Sequence, residues 1–79
     1  MTIGERIRKR RQELGLSQQE LADKAGVNRP TISELESGKQ LGLTVDTAKR
    51  LARVLGVGID YLAGTWEDEE DERLAAVAS

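Results

Sequence analysis

Ser17-Gln-Gln-Glu-Leu-Ala-Asp-Lys-Ala-Gly-Val-Asn-Arg-Pro-Thr-Ile-Ser-Glu-Leu-Glu-Ser-Gly38 decides the fold. The stretch predicts two short helices joined by a tight turn. Ser17 and Glu20 stand three apart, the spacing of a capping box, in which the serine oxygen accepts the N3 amide and the glutamate reaches back to the cap amide. Leu16 and Leu21 flank that cap as a hydrophobic staple. Leu21, Ala22 and Ala25 share one helical face, and Gly26 can take the left-handed conformation that ends a helix. Asn28 suits the next N-cap, Pro30 suits the first turn, and Val27 with Ile32 repeats the staple. Ile32 and Leu35 point inward, and Gly38 stops the second helix.

Asn28, Arg29, Pro30, Ser33, Glu34 and Ser37 fall outside the apolar stripe of that second helix. Two helices joined by a three- to four-residue turn with a Gly match a helix-turn-helix, whose second helix enters the DNA major groove. The same spacing fits an ordinary helical hairpin in a small bundle, so spacing alone leaves both open. The residue identities separate them. Leu16-Ser17-Gln18, Glu20-Leu21-Ala22, Gly26-Val27, Thr31-Ile32-Ser33 and Glu36-Ser37-Gly38-Lys39 form a pattern that closely resembles the helix-turn-helix of the Cro and lambdoid phage repressor family, the XRE-like regulators. The resemblance runs over about residues 3–64. It implies an all-α, compact five-helix DNA-binding domain over residues 1–66. It also implies a sequence-specific transcriptional regulator of double-stranded DNA, in the first instance a homodimeric repressor of a palindromic operator.

The composition sets bounds on this reading. A chain of 79 residues makes one domain with a small core, and with no Phe and only Tyr61 and Trp66 as aromatics that core must be aliphatic. Such a domain gains from pairing with a second copy. Without Cys or His there is no disulfide and no basis for a zinc site, and no cofactor is expected. No apolar run approaches a membrane span and no signal-peptide core opens the chain, so a cytoplasmic protein with no membrane contact is expected. The net charge of −2 is an average of unlike parts. Residues 1–66 hold 11 Lys and Arg against 8 Asp and Glu, whereas residues 67–79 hold one Arg against six acids. Only the first part need meet DNA.

Residues 2–14 predict a first helix, with Thr2 and Glu5 at capping-box spacing and Ile3, Ile7 and Leu14 on one face. Its other faces carry Arg6, Arg8, Lys9, Arg10 and Arg11, either a solvated surface or contacts to the phosphate backbone; Arg10 is placed among the phosphate contacts. Arg11 stands apart. In the phage repressors that the chain resembles, the Arg at this place pairs with a buried Glu, which falls on Glu36; the resemblance implies an Arg11–Glu36 ion pair closing the first helix onto the third.

The resemblance also implies that Gln18 anchors a phosphate, and the free amides at a helix N-terminus suit an anion. Asn28, Thr31, Lys39 and Gln40 join Gln18 and Arg10 as expected phosphate contacts, although Thr31 can equally cap its helix. Base contact is assigned to Arg29, Pro30, Ser33 and Glu34. Arg29 can make a bidentate contact to guanine, or a simple phosphate contact. Pro30 offers apolar surface to a thymine methyl, or only shapes the first turn. Ser33 is small enough for close approach. Glu34 can accept from a cytosine amino group, or hold Arg29 in an ion pair.

Beyond Gly38 the loop carries Lys39 and Gln40, then Leu41 and Leu43, where the phage relatives are more basic. Leu43 serves as the staple residue before the Thr44 cap. Leu41 has no local reason and belongs either at a dimer contact or under the loop. Thr44 caps a fourth helix with Asp46 in its first turn, and Val45, Ala48, Leu51, Ala52 and Leu55 recur at helical spacing. A short fifth helix follows Gly56. By resemblance it forms the two-fold contact, with Ile59 and Tyr61 as dimer residues and Val57 and Leu62 in the core; the alternative is that all four only cover the core. Residues 67–79 make an acidic, flexible tail that can extend the dimer contact, bind a protein partner, fold over the basic face, or do nothing.

Three rivals remain. An antitoxin shares this fold and autorepresses, but also sequesters a toxin, and the tail is the natural sequestering segment. A protein-binding adaptor can use the same helix-turn-helix surface without DNA selectivity. An enzyme is rejected: the chain has no His or Cys, no Gly-rich phosphate loop and no clustered acids outside the tail.

Overall fold

The computed structural model describes residues 2–40 and 42–62, and all of its regular structure is helical. The helices are α1 (Ile3–Glu13), α2 (Gln18–Ala25), α3 (Arg29–Ser37) and α4 (Val45–Leu55), followed by α5 over residues 59–62. Local capping starts three of them. The Thr2 Oγ1 accepts the Glu5 amide at 3.2 Å, and the Thr44 Oγ1 accepts the Thr47 amide at 3.2 Å. At α2 the capping box closes in both directions: Ser17 Oγ accepts the Glu20 amide at 3.0 Å, and Glu20 accepts the Ser17 amide at 3.1 Å. That amide, and after it the Ser17 hydroxyl, holds the Glu20 carboxyl below the usual carboxylate range. Gly26 ends α2 at φ 70° and ψ 33°, a conformation that a side chain would strain, and the chain turns there into α3.

The apolar faces meet in one core. Ile7, Leu21, Ile32, Leu35, Leu51, Leu55 and Leu62 are all less than 2% exposed, so every helix contributes at least one fully buried aliphatic side chain. Val27, Leu43, Val54, Val57 and Tyr61 pack against this cluster from its margins. α3 packs against both α2 and α1, and α4 closes the other side of α2. One contact there has no side chain at all. Gly4 on α1 lies so close to α3 that a Cβ placed on it would stand 1.8 Å from the carbonyl oxygen of Leu35.

Two residues of the expected apolar faces lie outside the core. Leu14 is 41% exposed because α1 stops at Glu13 and Gly15, at φ 70°, turns the chain away. Val45 is 62% exposed as the first residue of α4, where the buried stripe begins only at Ala48. Asn28 occupies the N-cap of α3, but its side chain makes no capping bond. A cap side chain bonds the amide of N2 or N3. Here N2 is Pro30, which has none, and the N3 amide of Thr31 already donates to the Asn28 carbonyl at 3.0 Å.

Arginines of α1 hold the C-terminal part of the fold. Arg10 Nε donates to the Leu55 carbonyl at 2.9 Å, at the last turn of α4, and its Nη1 reaches Glu13 at 3.3 Å. Arg6 Nη1 donates to the Tyr61 carbonyl at 2.9 Å, and its guanidinium carbon sits 5.1 Å from the centre of the Tyr61 ring. A cation at a helix C-terminus satisfies an orphan carbonyl and complements the dipole. Arg10→Ala is therefore expected to lower stability by about 1–2 kcal/mol. The readout is a lower urea midpoint with an unchanged denaturant slope; an unmoved midpoint would mean that Leu55 is satisfied by water instead.

Candidate nucleic-acid interface

α3 divides its residues sharply. Ile32 and Leu35 are at most 1% exposed, while Arg29, Pro30, Glu34 and Ser37 are exposed and Ser33 half-buried on the other side. These five outward residues, together with Lys39 from the following loop, line one shallow concavity. All four residues expected to contact bases are thus neighbours on one face. Among the described residues no ion pair joins Arg29 to Glu34, which leaves both side chains available. α3 also lacks a side-chain cap and any acid in its first turn, whereas α1, α2 and α4 have Glu5, Glu20 and Asp46 there. Its N-terminal partial positive charge therefore stands uncompensated beside Arg29.

A second depression lies on the other flank of α3, where α1 and α2 meet it. Arg8, Arg11, Gln18, Ser33, Glu36 and Ser37 line it. Arg11 and Glu36 form a two-bonded ion pair there, Nε to Oε2 at 2.9 Å and Nη2 to Oε1 at 2.9 Å. Their side chains are only 12% and 4% exposed. Arg11 Nη1 donates further to the Leu16 carbonyl at 2.8 Å, and Gln18 Nε2 to Glu36 Oε1 at 3.3 Å. The pair therefore ties α1, the start of α2 and the end of α3 at one point. Its hydrogen bonds to Glu36, against a smaller desolvation effect, raise the Arg11 pKa above the ordinary arginine range.

The remaining expected site residues are scattered. Lys39 stands exposed at the rim of the α3 concavity, and Thr31 is half-buried on α3. Gln40 is half-buried; its side-chain amide donates to the Gly42 carbonyl at 2.8 Å and its backbone amide to the Glu34 carbonyl at 3.1 Å, so it shapes the loop. Arg10 is turned away from α3 toward the end of α4, so the structure does not bring it to this face. Ile59 is 36% exposed and Tyr61 half-buried on α5. Leu41, Trp66 and the acidic tail, with the roles expected of them, lie outside the described residues. Sequence reasoning assigned Gly4 and Arg8 no individual role. A lone Gly inside an amphipathic helix is a signal of close packing, and Arg8 lies three residues before Arg11, hence on its face.

Comparison with known proteins agrees with this fold. A family model described as helix-turn-helix matches residues 7–62. The chain is 31% identical over 74 residues to the cryptic phage CTXphi transcriptional repressor RstR of Vibrio cholerae, covering 94% of this chain and 65% of that one. It is 37% identical over 60 residues to the transcriptional regulator SinR of Bacillus subtilis, covering 76% of this chain and 54% of SinR. The chain thus spans about two thirds or less of the length of these relatives. A crystal structure of SinR, described as the master regulator for biofilm formation, in complex with DNA superposes with a TM-score of 0.75 at 36% identity, over 77% of this chain and 97% of that one. No helix among the described residues is long and apolar enough to cross a membrane. With its Gly26 turn and the outward face of α3 both falling within the matched residues 7–62, the chain belongs to the XRE-like helix-turn-helix family of transcriptional regulators.

Proposed function

We propose that this chain binds duplex DNA in a sequence-specific manner and represses transcription as a homodimer on a two-fold-symmetric operator. The observation that carries the reading is the α3 concavity, where Arg29, Pro30, Ser33, Glu34 and Lys39 converge on the face opposite the core. In this reading Arg29 takes a guanine through its O6 and N7, Pro30 meets a thymine methyl, and Glu34 accepts from a cytosine amino group. Gln18, Asn28, Thr31 and Lys39 hold the backbone. Ile59 and Tyr61 supply the two-fold contact, placing the paired α3 helices about 34–36 Å apart or at a multiple of that distance. Occupying the promoter is then enough to block polymerase, and the protein acts in the cytoplasm.

Selection of bound duplexes from a random pool, followed by sequencing, tests this reading. An enriched palindrome supports a dimeric, sequence-specific regulator. Arg29→Ala is expected to lose the guanine preference at one half-site position, with about 1–3 kcal/mol of discrimination removed there and little change elsewhere. Uniform weakening across all sequences would make Arg29 a phosphate contact instead. Absence of any enriched sequence would turn the reading toward an adaptor or antitoxin that uses this fold for a protein partner.

A further inference from the structure

We infer that the acidic run at residues 67–72 docks in cis on the solvent side of α1, over Lys9 and Arg8, and that duplex DNA must displace it; only the second half rests on the DNA-binding reading above. Charge complementarity is the first argument. Residues 67–72 are six consecutive carboxylates with no cation among them. Arg8 and Lys9 are both exposed, and neither makes a hydrogen bond or ion pair with another described residue. Glu5, one turn before Lys9, forms no ion pair with it, and Glu13, the other acid of α1, is held by Arg10. α1 therefore presents two neighbouring positive charges that the described fold does not compensate.

The path of the chain is the second argument. The described fold ends against α1 itself: Arg6 Nη1 donates to the Tyr61 carbonyl, one residue before the last described position. Lys9 lies three residues beyond Arg6, a spacing at which helical neighbours stand about 5–6 Å apart. An extended chain covers at most about 3.3–3.6 Å per residue, so residue 67 reaches up to about 17 Å from Leu62 and residue 72 about twice as far. A helix with its side chains is about 10–12 Å across. The run is long enough to pass from the α5 side of α1, over Lys9, to Arg8 on the α3 side. There Arg8 lines a depression together with Ser33 and Ser37, and the same two serines line the α3 concavity. Carboxylates in that position stand at the edge of the proposed DNA-facing surface and repel phosphates from it. A tethered segment works at about millimolar effective concentration, so contacts that are individually weak and screened by salt hold it in place part of the time.

The test compares the 79-residue chain with a variant of equal length whose run is neutral: Glu67→Gln, Asp68→Asn, Glu69→Gln, Glu70→Gln, Asp71→Asn and Glu72→Gln. Without DNA and at low salt, the backbone amide resonances of Arg8 and Lys9 should differ between the two chains. The difference should vanish at 1 M salt, where the screening length is about 3 Å. Unmoved α1 amides overturn the docking, as do changes confined to Lys49 and Arg53 on α4. Changes that grow with chain concentration place the run on a second copy and overturn it as well. With a random-sequence duplex at low salt, the neutral variant should bind about 2- to 10-fold tighter, the range for a weak site competed by its own tethered segment. Equal affinity overturns the competition. Tighter binding with unmoved amides is repulsion by an undocked run, and overturns the inference too. If neither chain binds duplex, the DNA-binding reading fails and the competition with it, while the amide resonances still decide the docking.

Discussion

Replacing Gly4 with alanine is expected to cost the domain about 3 kcal/mol or more. Helix propensity argues the other way, since alanine is favoured over glycine by about 1 kcal/mol in a helix interior. The decision lies in the distance. The new Cβ would stand 1.8 Å from the Leu35 carbonyl oxygen and 2.7 Å from its carbon, and both are backbone atoms that no rotamer change can move. Overpacking a well-filled core typically costs about 1–3 kcal/mol, and here the obstacle is more rigid than a side chain. α1 must therefore lift off α3, exposing Ile3 and Ile7, which are at most 3% exposed in the native fold. A domain of this size has only about 4–10 kcal/mol in total, so the variant sits near the edge of folding. Gly42→Ala is the control: a Cβ there meets nothing within 4 Å, and its effect should stay within about 0.5 kcal/mol. Urea unfolding of both variants checks the pair. A change below about 1 kcal/mol in Gly4→Ala would mean that α1 and α3 stand further apart than described.

The contrast between Gly4 and the helix caps shows where sequence carries structural information. Thr2 with Glu5, Ser17 with Glu20 and Thr44 with Thr47 are each three residues apart, so both partners of the bond are visible in one short window. The apolar stripes of α2, α3 and α4 are legible for the same reason: their period is local. Gly4 reports on Leu35 in another helix, and nothing near Gly4 in the chain announces that neighbour. Arg6 and Arg10 donate to backbone carbonyls of Tyr61 and Leu55, and a carbonyl has no residue identity for a sequence to display. That is why the basic run of α1 reads as one undivided patch, when it is divided among α5, α4, the Glu36 pair and the open cleft.

On α3 the outward residues follow from those that point inward, so the concavity from Arg29 to Lys39 could be drawn from the sequence. What the sequence hides is the competition for partners. Asn28 has the right residue type for a cap, and Pro30 two positions later removes the amide it needs. Gln40 has the right chemistry for a phosphate, and the Gly42 carbonyl two residues on also accepts from its amide. Leu14 keeps the helical phase of Ile7, yet α1 ends one residue short of it.

The second large effect belongs to Glu36. Glu36→Ala is expected to lower stability by about 3–5 kcal/mol, because it strands the Arg11 guanidinium in a site where its side chain is 12% exposed. Two short charge-assisted bonds disappear, and the donor from Gln18 loses its acceptor. The loss is a penalty for an unpaired charge and not the worth of the pair itself, which a double-mutant cycle separates. Arg11→Met with Glu36→Leu together should be more stable than either single change, since an apolar pair of similar size leaves no charge behind. Folding raises the Arg11 pKa, so the contribution of its charged form is complete at every pH below the ordinary arginine range. It fades only in strong alkali, as the pH climbs through the raised value, and unfolding measured near neutrality therefore compares variants with Arg11 fully charged throughout. If Glu36→Ala shifts the unfolding free energy by less than about 1 kcal/mol, the pair behaves as a solvated surface contact, and α1 is held to α3 by the Gly4 approach and the aliphatic core alone.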